Sequence, residues 1–218
     1  MQIFGDLMRN GKDYNPVLWV NSSQNNDELA ERYNSWSAHY DDDLSQDFEW
    51  IGPNIASDIF EKYVPKSSQI LDAGAGTGLV GHLLKGKGYL NLTAMDISQG
   101  MLSQAAEKNI YKELHEMVLG QPLSFATNRF NATISIGVMT VGHAPPESLD
   151  ELIRVTSPQG HIVFTLRTDV YKYYGFQEKM DSLISSSHWS LVEEGEPFQG
   201  LAKGAPEIQH QVWVFRVS

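Results

Sequence analysis

Two stretches of the sequence decide the fold: ILDAGAGTGLVG at residues 70–81 and MDIS at residues 95–98. The first begins as a short apolar strand, passes an acid and three alternate glycines, and enters a helical pattern. Alternate glycines allow a tight turn and let a ligand approach the backbone N–H groups. Asp96 in the second stretch lies 20 residues after Gly76, about where a doubly wound fold holds a ribose diol. Together the two stretches predict a nucleoside-binding site.

The glycines can be read in two frames. Residues 76–81 fit the G-x-G-x-x-G dinucleotide fingerprint, but residues 72–75 separate its first glycine from the strand. In the other frame, Asp72 ends the strand and Gly74, Gly76 and Gly78 form the loop. An acid at this place suits a ligand with a positive end, such as the ammonium group of a methionine moiety. We favour this second frame because the acid and the second strand acid occur together.

Composition predicts a compact domain and excludes several classes of partner. The chain has 218 residues, 41% of them hydrophobic, and a formal net charge of −11. Because no basic run exceeds two residues, we expect no nucleic-acid partner. No apolar run has membrane-spanning length, so no membrane partner is expected. The absence of cysteine fits a reducing compartment, and the scattered histidines indicate no metal site; the expected location is cytoplasmic.

The pattern of apolar residues predicts an α/β fold. Strands are expected at residues 69–72, 91–96, 115–119, 132–137, 161–167, 189–194 and 208–217, with helices between most of them. Strand–helix alternation predicts a mostly parallel seven-stranded sheet with helices on both faces. The last two strands lack an intervening helix, which predicts a reversed last strand. We therefore expect a Rossmann-like domain over residues 67–218.

Residues 1–66 are predicted to form an N-terminal arm and a helical lid. Residues 1–25 are rich in Asn, Gly and Ser and are expected to be loose. A helix capped by Asp27 is expected to carry Tyr33, Trp36 and Tyr40 as one aromatic stripe. A second helix is expected over residues 48–64, before Pro65.

The motifs resemble those of a known family. The acid-flanked glycine loop resembles motif I of class I S-adenosylmethionine-dependent methyltransferases, and Asp96 resembles their ribose-binding acid. The segments at residues 33–41, 119–123 and 149–152 are similar to the methyltransferase-like proteins of the Williams–Beuren syndrome critical region. The resemblance covers roughly residues 28–170. It implies the class I methyltransferase fold and S-adenosylmethionine as cofactor, with S-adenosylhomocysteine as product.

The resemblance also implies which residues bind the cofactor. Asp96 would bind the ribose, Ile97 would pack on the adenine, and Met101 would border it. Leu119 stands where many relatives carry an acid that accepts from the adenine amino group, so this bond is expected from the backbone or from Gln121. The predicted cofactor-binding residues are Asp72, Gly74, Ala75, Gly76, Gly78, Asp96, Ile97, Met101, Leu119, Gly120, Gln121, Gly137, Val138, Tyr33 and Tyr40.

The sequence leaves two interpretations open for the tyrosines of the N-terminal helix and two for a loop histidine. Tyr33 and Tyr40 belong either to a lid, with a hydroxyl on the methionine carboxylate and rings near the sulfonium, or to the core. His143, in the loop after the fourth strand, is either a catalytic base for an acceptor hydroxyl or a structural residue. Many methyltransferases that act on a planar nitrogen hold it with a tetrapeptide of an acid or Asn, two prolines and an aromatic residue. This tetrapeptide is missing from the loop. We expect the acceptor pocket to be formed by the N-terminal helices, residues 138–146 and the aromatic segment 167–176.

Three classes of function follow. The first is an S-adenosylmethionine-dependent methyltransferase that transfers the methyl group directly to a small organic acceptor. The second is a non-catalytic module that binds S-adenosylmethionine or S-adenosylhomocysteine. The third is an NAD-dependent oxidoreductase, which would need a substrate domain that this length hardly allows.

Overall fold

The computed structural model describes residues 15–203 and 207–218. The first part of the predicted N-terminal arm, residues 1–14, lies outside the described residues. The helices are α1 (Pro16–Asn21), α2 (Asn26–Trp36), α3 (Tyr40–Asp42), α4 (Gly52–Tyr63), α5 (Leu79–Gly86), α6 (Gln99–Glu107), α7 (Ser148–Val155), α8 (Thr168–Tyr173) and α9 (Phe176–Ser185). The strands are β1 (Ile70–Ala73), β2 (Leu92–Asp96), β3 (Glu113–Glu116), β4 (Phe130–Met139), β5 (Thr156–Arg167), β6 (Trp189–Glu194), β7 (Phe198–Gln199) and β8 (Gln209–Val217). A π-helical turn, Asp43–Asp47, follows α3.

The strands form one sheet in the order β3-β2-β1-β4-β5-β8-β6, and the short strand β7 pairs with β8. β1 to β5 run parallel, whereas β8 is antiparallel to both β5 and β6. The predicted mostly parallel sheet with a reversed last strand is confirmed. Strand β7 was not predicted, because two residues carry no recognisable alternation.

Helices cover both faces of the sheet. Consecutive strand residues point to opposite faces, and accordingly Ile70 and Leu71 belong to different buried clusters. Ile70 packs in the cluster that contains Phe60 of α4 and Leu84 of α5. Leu71 packs in the cluster on the other face, which contains residues of α7 and α9. The predicted boundary between the N-terminal segment and the Rossmann-like domain lies at residue 66. Because α4 packs directly on the sheet, residues on both sides of this boundary share one core.

The N-terminal segment is more regular than predicted. Residues 16–21 form α1 instead of a loose arm, because Asn15 caps the helix by accepting from the Leu18 amide and Pro16 occupies the first helical position. The N-cap of α2 is Asn25 and not Asp27, which lies inside the first turn. The helix that was expected to carry the aromatic stripe is interrupted, since α2 ends at Trp36 and Tyr40 begins a separate helical turn. The rings of Tyr33, Trp36 and Tyr40 nevertheless pack on one another as predicted.

Candidate functional site

A cavity opens at the carboxyl ends of β1, β2 and β4, beneath α2, with about 650 Å³ of empty space when the part open to solvent is counted. Ligands in open α/β sheets bind at this edge. Its walls include eleven of the predicted site residues: Tyr33, Tyr40, Gly74, Gly76, Asp96, Ile97, Met101, Leu119, Gly137, Val138 and His143. The sequence motifs and the N-terminal helix thus meet at one place.

The glycine loop lies against β2 and β4. The amide groups of Gly74 and Ala75 both donate to the carbonyl of Met95, at 2.8 and 2.9 Å. Gly74 has φ +78°, and a Cβ atom there would lie 2.4 Å from a methyl group of Val138. At Gly76 the nearest atom to such a Cβ would be a ring carbon of Tyr40 at 3.9 Å. The loop therefore needs glycine at position 74 for packing, and at position 76 it leaves its backbone accessible from the cavity.

Asp96 ends β2 with its carboxylate at the cavity. One oxygen accepts from the Gly76 amide at 2.8 Å and the other accepts from the Ser98 amide at 2.9 Å. Burial raises the pKa of Asp96 to about 6, although these backbone bonds oppose the shift. The helix cap proper is Ser98, whose hydroxyl accepts from the Met101 amide. Asp96 therefore supports the glycine loop and the residue that begins α6, and each of its oxygens keeps a further lone pair for hydroxyl donors.

Asp72 occupies a different position from the one predicted. It is buried behind the glycine loop, where the hydroxyl of Tyr111 donates to its Oδ2 at 2.6 Å, and it does not line the cavity. Burial raises the pKa of Asp72 to about 7. The Tyr111 ring fills the space next to Gly78 and Gly81. This position does not support the predicted contact between Asp72 and a ligand ammonium group.

Four other predicted residues also lie outside the cavity lining: Ala75, Gly78, Gly120 and Gln121. Gly78 begins α5 in a left-handed conformation, and Gly120 packs closely against Pro145. Gln121 is exposed, so its side chain does not border the adenine pocket as the resemblance implied. The cavity walls also contain residues that were not predicted: Asn26, Leu29, Met95, Met117, Val118, Ile136 and Ala144. Six of these seven residues are apolar, and because any core contains such residues, the sequence does not mark them as part of a site. Asn26 is the polar residue among them.

Tyr33 and His143 form a hydrogen-bonded pair in the cavity wall. The Tyr33 hydroxyl lies 2.8 Å from Nε2 of His143, while Nδ1 lies 3.1 Å from the carbonyl of Val141. Because a carbonyl only accepts, Nδ1 carries the proton, and Nε2 is the acceptor for Tyr33. Burial lowers the pKa of His143 and raises that of Tyr33 well above its usual value. Both side chains are therefore neutral near pH 7.

The segment with α2 and α3 is held to the glycine loop and to α6 by polar contacts. The side-chain oxygen of Asn34 accepts from the Ser98 hydroxyl and from the Gly100 amide, both at 2.7 Å. Asp41 bonds to the hydroxyl of Thr77 and pairs with Lys108 at 2.6 Å. The segment that closes the cavity is thus anchored to the elements that form its floor.

A second cavity, with about 900 Å³ of empty space when the part open to solvent is counted, adjoins the first. The two share the wall residues Tyr33, Tyr40, Ile136, Gly137 and His143. The second cavity extends across the carboxyl ends of β4 and β5 to the beginning of β8, and α1 and the π-helical turn contribute to its other side. Its walls are mainly apolar or aromatic and include Trp36, Phe48 and Trp50.

The prediction that segment 167–176 lines an acceptor pocket is wrong except for Arg167. A helix, α8, forms after β5 and turns the aromatic residues away. Tyr173 and Tyr174 are exposed, Phe176 is buried in the core, and Tyr171 packs against Trp213. Arg167 does line the second cavity, but its Nη2 is paired with Asp169 at 2.6 Å.

Within residues 15–203 and 207–218, no group of three or more His, Cys, Asp or Glu is arranged to hold a metal ion. In that part of the chain, no helix is long and apolar enough to cross a membrane.

Comparison with known proteins identifies the domain that carries this site. A family described as "Methyltransferase domain" matches residues 71–164. Residues 71–164 form a class I S-adenosylmethionine-dependent methyltransferase domain. The predicted family, the predicted fold and S-adenosylmethionine as the family's cofactor are thereby confirmed.

Individual relatives agree with this assignment. Human methyltransferase-like protein 27 is 36% identical over 141 residues, which are 63% of this chain and 57% of that protein. A demethylmenaquinone methyltransferase of Corynebacterium glutamicum is 35% identical over 138 residues, 62% of this chain and 58% of that protein. The chain thus spans less than two thirds of the length of these curated relatives.

Solved structures share the fold at low identity. An S-adenosylmethionine-dependent methyltransferase from Methanosarcina mazei superposes with a TM-score of 0.59 at 15% identity, covering 73% of this chain and 96% of that one. The [4+2]-cyclase SpnF gives a TM-score of 0.69 at 11% identity, covering 89% and 97%. Because these identities are low, the structures establish the architecture alone.

Proposed function

We propose that the protein transfers a methyl group from S-adenosylmethionine to a small organic acceptor. The observation that carries this proposal is the junction of the two cavities at Gly137, Tyr33 and His143. One cavity has the glycine loop and acid of a methyltransferase domain, and the other offers space for a second molecule. A methyl transfer needs two reactants held in line and shielded from water, which such a junction provides.

The residues of the first cavity fit the cofactor. The carboxylate of Asp96 would accept from the ribose hydroxyls, and the backbone at Gly76 is accessible beside it. Ile97, Met101 and Leu119 supply apolar walls for the adenine. Tyr33 and Tyr40 would close the site over the methionine end as lid residues. When bound, S-adenosylmethionine supplies a methyl group that its positive sulfur has already activated.

Tyr33 and His143 are proposed to remove the proton from an acceptor hydroxyl. Nε2 of His143 carries a lone pair, since Nδ1–H is held by the Val141 carbonyl. That lone pair already accepts from the Tyr33 hydroxyl, so the proton would pass through Tyr33: as the acceptor oxygen gains the methyl group, its proton goes to the Tyr33 oxygen while the Tyr33 proton goes to Nε2. An acceptor that is already ionised would not need this step.

A small-molecule acceptor is supported by the relatives as well as by the cavity. The demethylmenaquinone methyltransferase is named for a small organic substrate. The net charge of −11 disfavours a nucleic acid. The cytoplasmic location predicted from composition stays a prediction.

The proposal is tested by incubating the protein with S-adenosylmethionine labelled in its methyl group and a fractionated extract of small metabolites. We expect label to move into at least one solvent-extractable small molecule, and the Asp96→Ala variant to lose this transfer. An Asp58→Ala variant, changed at a carboxylate on the surface, serves as the matched control. Binding of the cofactor without transfer to any fraction would instead favour the non-catalytic binding module.

A further inference from the structure

Asp96 is a buried carboxylate that no cation compensates. It is 8% exposed, and its two oxygens accept from the amides of Gly76 and Ser98. No Lys or Arg in the described part of the chain pairs with it. Buried charges in proteins are normally paired with an opposite charge. The first cavity therefore holds a negative charge for which a bound cation is the natural partner.

The other wall residues of the first cavity do not balance this charge. Among those that the structure describes, Asp96 alone carries a formal charge near pH 7. His143 is neutral, since Nδ1–H is held by the Val141 carbonyl and Nε2 accepts from Tyr33. Burial also lowers the pKa of His143. The cavity as a whole is therefore negative and favours a cationic ligand.

Cations close to the two cavities are already paired with acids. Lys108 lies 2.6 Å from Asp41, the residue that follows Tyr40 of the proposed lid. Arg167, in the wall of the second cavity, lies 2.6 Å from Asp169. Each pair is close to neutral as a whole, so neither pair offsets the charge of Asp96.

A second buried carboxylate adds to the negative field. Asp72 lies behind the glycine loop, where its side-chain partner is the neutral hydroxyl of Tyr111. Burial raises the pKa of Asp72 to about 7, and the charge of Asp96 contributes to this shift. Asp72 is therefore partly ionised near pH 7, and it acts on a ligand through space without touching it.

The donor and the product of a methyl transfer differ by one unit of charge. The sulfur of S-adenosylmethionine is positive, whereas S-adenosylhomocysteine, which remains after the methyl group has left, has a neutral thioether. The adenine, the ribose and the amino-acid end are the same in both molecules. Contacts to those parts therefore cannot distinguish the donor from the product, but a buried charge can.

The sheet sets the distance over which Asp96 acts. Asp96 ends β2 and Gly137 lies on β4, with β1 between these two strands. Neighbouring strands are about 4.8 Å apart, so Asp96 lies roughly 10 Å from the junction of the two cavities at Gly137. At about this distance and an effective dielectric constant of about 20, opposite unit charges attract enough to change an affinity by about tenfold. Loss of water from the cation opposes this attraction and reduces the net effect.

We propose that Asp96 makes the first cavity selective for the cationic methyl donor over the neutral product. In this role Asp96 is a specificity-determining residue, in addition to the ribose contact proposed above. The inference rests on the proposed function and adds a regulatory property to the same site. Product that accumulates would compete only weakly with the donor.

The test is a calorimetric titration without acceptor, near pH 7.5, using three ligands that share the adenosine and amino-acid parts. They are S-adenosylmethionine, S-adenosylhomocysteine and sinefungin, a stable analogue that carries an ammonium group in place of the methylated sulfur. We expect both cations to bind about three- to tenfold more tightly than S-adenosylhomocysteine.

Three variants separate the charge of Asp96 from its hydrogen bonds. Asp96→Asn should weaken all three ligands and bring the affinities of donor and product within about twofold of each other, because the charge is gone. Asp96→Glu keeps the charge and should keep a preference of about threefold or more, even where the ribose contact is weakened. Asp72→Asn, which can still accept from Tyr111, should reduce the preference by about twofold or less. Asp58→Asn, at a surface carboxylate paired with Lys87, is the matched control and should change nothing.

The outcomes separate this inference from the proposed function. S-adenosylhomocysteine that binds the unaltered protein as tightly as S-adenosylmethionine would overturn the inference, and this comparison decides even if a variant does not fold. A preference that survives in Asp96→Asn would also overturn it and would assign the selectivity to the rings of Tyr33 and Tyr40. Failure of all three ligands to bind would instead overturn the proposed function.

Discussion

The two cavities that meet at Gly137 are built in different ways. The floor of the first comes from two short stretches, residues 74–76 and 95–97, whose backbone and single acid determine what fits. The walls of the second are side chains from α1, the π-helical turn, β4, β5 and β8. A contiguous floor leaves a motif in the sequence, whereas walls collected from distant elements do not. The first cavity can therefore be recognised from sequence, and the second only from structure.

If this comparison is right, adding one methyl group to the glycine loop should abolish cofactor binding in the first cavity. A Gly74→Ala change adds a Cβ 2.4 Å from Val138 at a residue with φ +78°. We expect a loss of stability of about 2–4 kcal/mol, from left-handed strain and overpacking together, and no measurable binding of S-adenosylhomocysteine. Thermal unfolding and calorimetry measure the two effects.

Gly88→Ala provides the control for backbone strain. Gly88 has φ +94°, but no atom lies within 4 Å of an added Cβ. It should lose only about 1–2 kcal/mol and keep its affinity for the cofactor. Equal damage by both changes would show that conformational strain, and not the contact with Val138, limits the loop.

The next largest effect is expected at Asp96. Replacing it by Ala should weaken binding of S-adenosylhomocysteine by about 1.5–3 kcal/mol, the worth of hydrogen bonds to a charged group. Calorimetry, alongside Asp58→Ala, checks this. Unchanged affinity for S-adenosylhomocysteine would reduce Asp96 to a support for the loop.

Cofactor binding in the first cavity should depend on pH. Because burial raises the pKa of Asp96 to about 6, its carboxylate gains a proton as the pH falls through 6. The protonated acid accepts more weakly, so affinity for S-adenosylhomocysteine should fall about tenfold between pH 7 and pH 5. The Asp96→Asn variant should lose this dependence, which titration at several pH values checks. A dependence that survives in Asp96→Asn would point to Asp72.

The smallest effect concerns the proposed lid, whose residues Tyr33 and Tyr40 line both cavities. Lids belong to the less stable parts of a fold and become ordered when a ligand binds. We expect amides from residues 27–41 to exchange faster than those of the sheet in the free protein and to become protected with S-adenosylhomocysteine. Asn34→Ala, which removes the bonds to Ser98 and Gly100, should reduce that protection. Hydrogen-exchange mass spectrometry decides. Protection equal to that of the sheet without ligand would make Tyr33 and Tyr40 core residues.

Much of the fold and part of the site could be predicted from the sequence. The strands could be predicted because they are continuous apolar runs. The loop at residues 74–78 and Asp96 follow two of these runs directly, so the topology places both at the carboxyl edge of the sheet. Asp72 was misjudged because a motif does not show which side of the loop a side chain takes; Tyr111, 39 residues away, binds it there. The role of segment 167–176 was misjudged because aromatic content does not distinguish a pocket from an exposed helix.

The pairing of Tyr33 with His143 could not have been found from the sequence. The two residues are 110 positions apart, and their hydrogen bond depends on how α2 packs against the loop after β4. A lone histidine in a loop is indistinguishable from any other histidine until its neighbours are known.

The most direct test of the central claim is a calorimetric titration of the purified protein with S-adenosylhomocysteine and, separately, with NAD. We expect micromolar binding of S-adenosylhomocysteine, because the glycine loop fits the motif that begins at Asp72 and is followed by Asp96. They predict NAD binding at least about tenfold weaker, a difference of about 1.4 kcal/mol or more. NAD binding as tight as that of S-adenosylhomocysteine would contradict the assignment of the first cavity to a methyl donor.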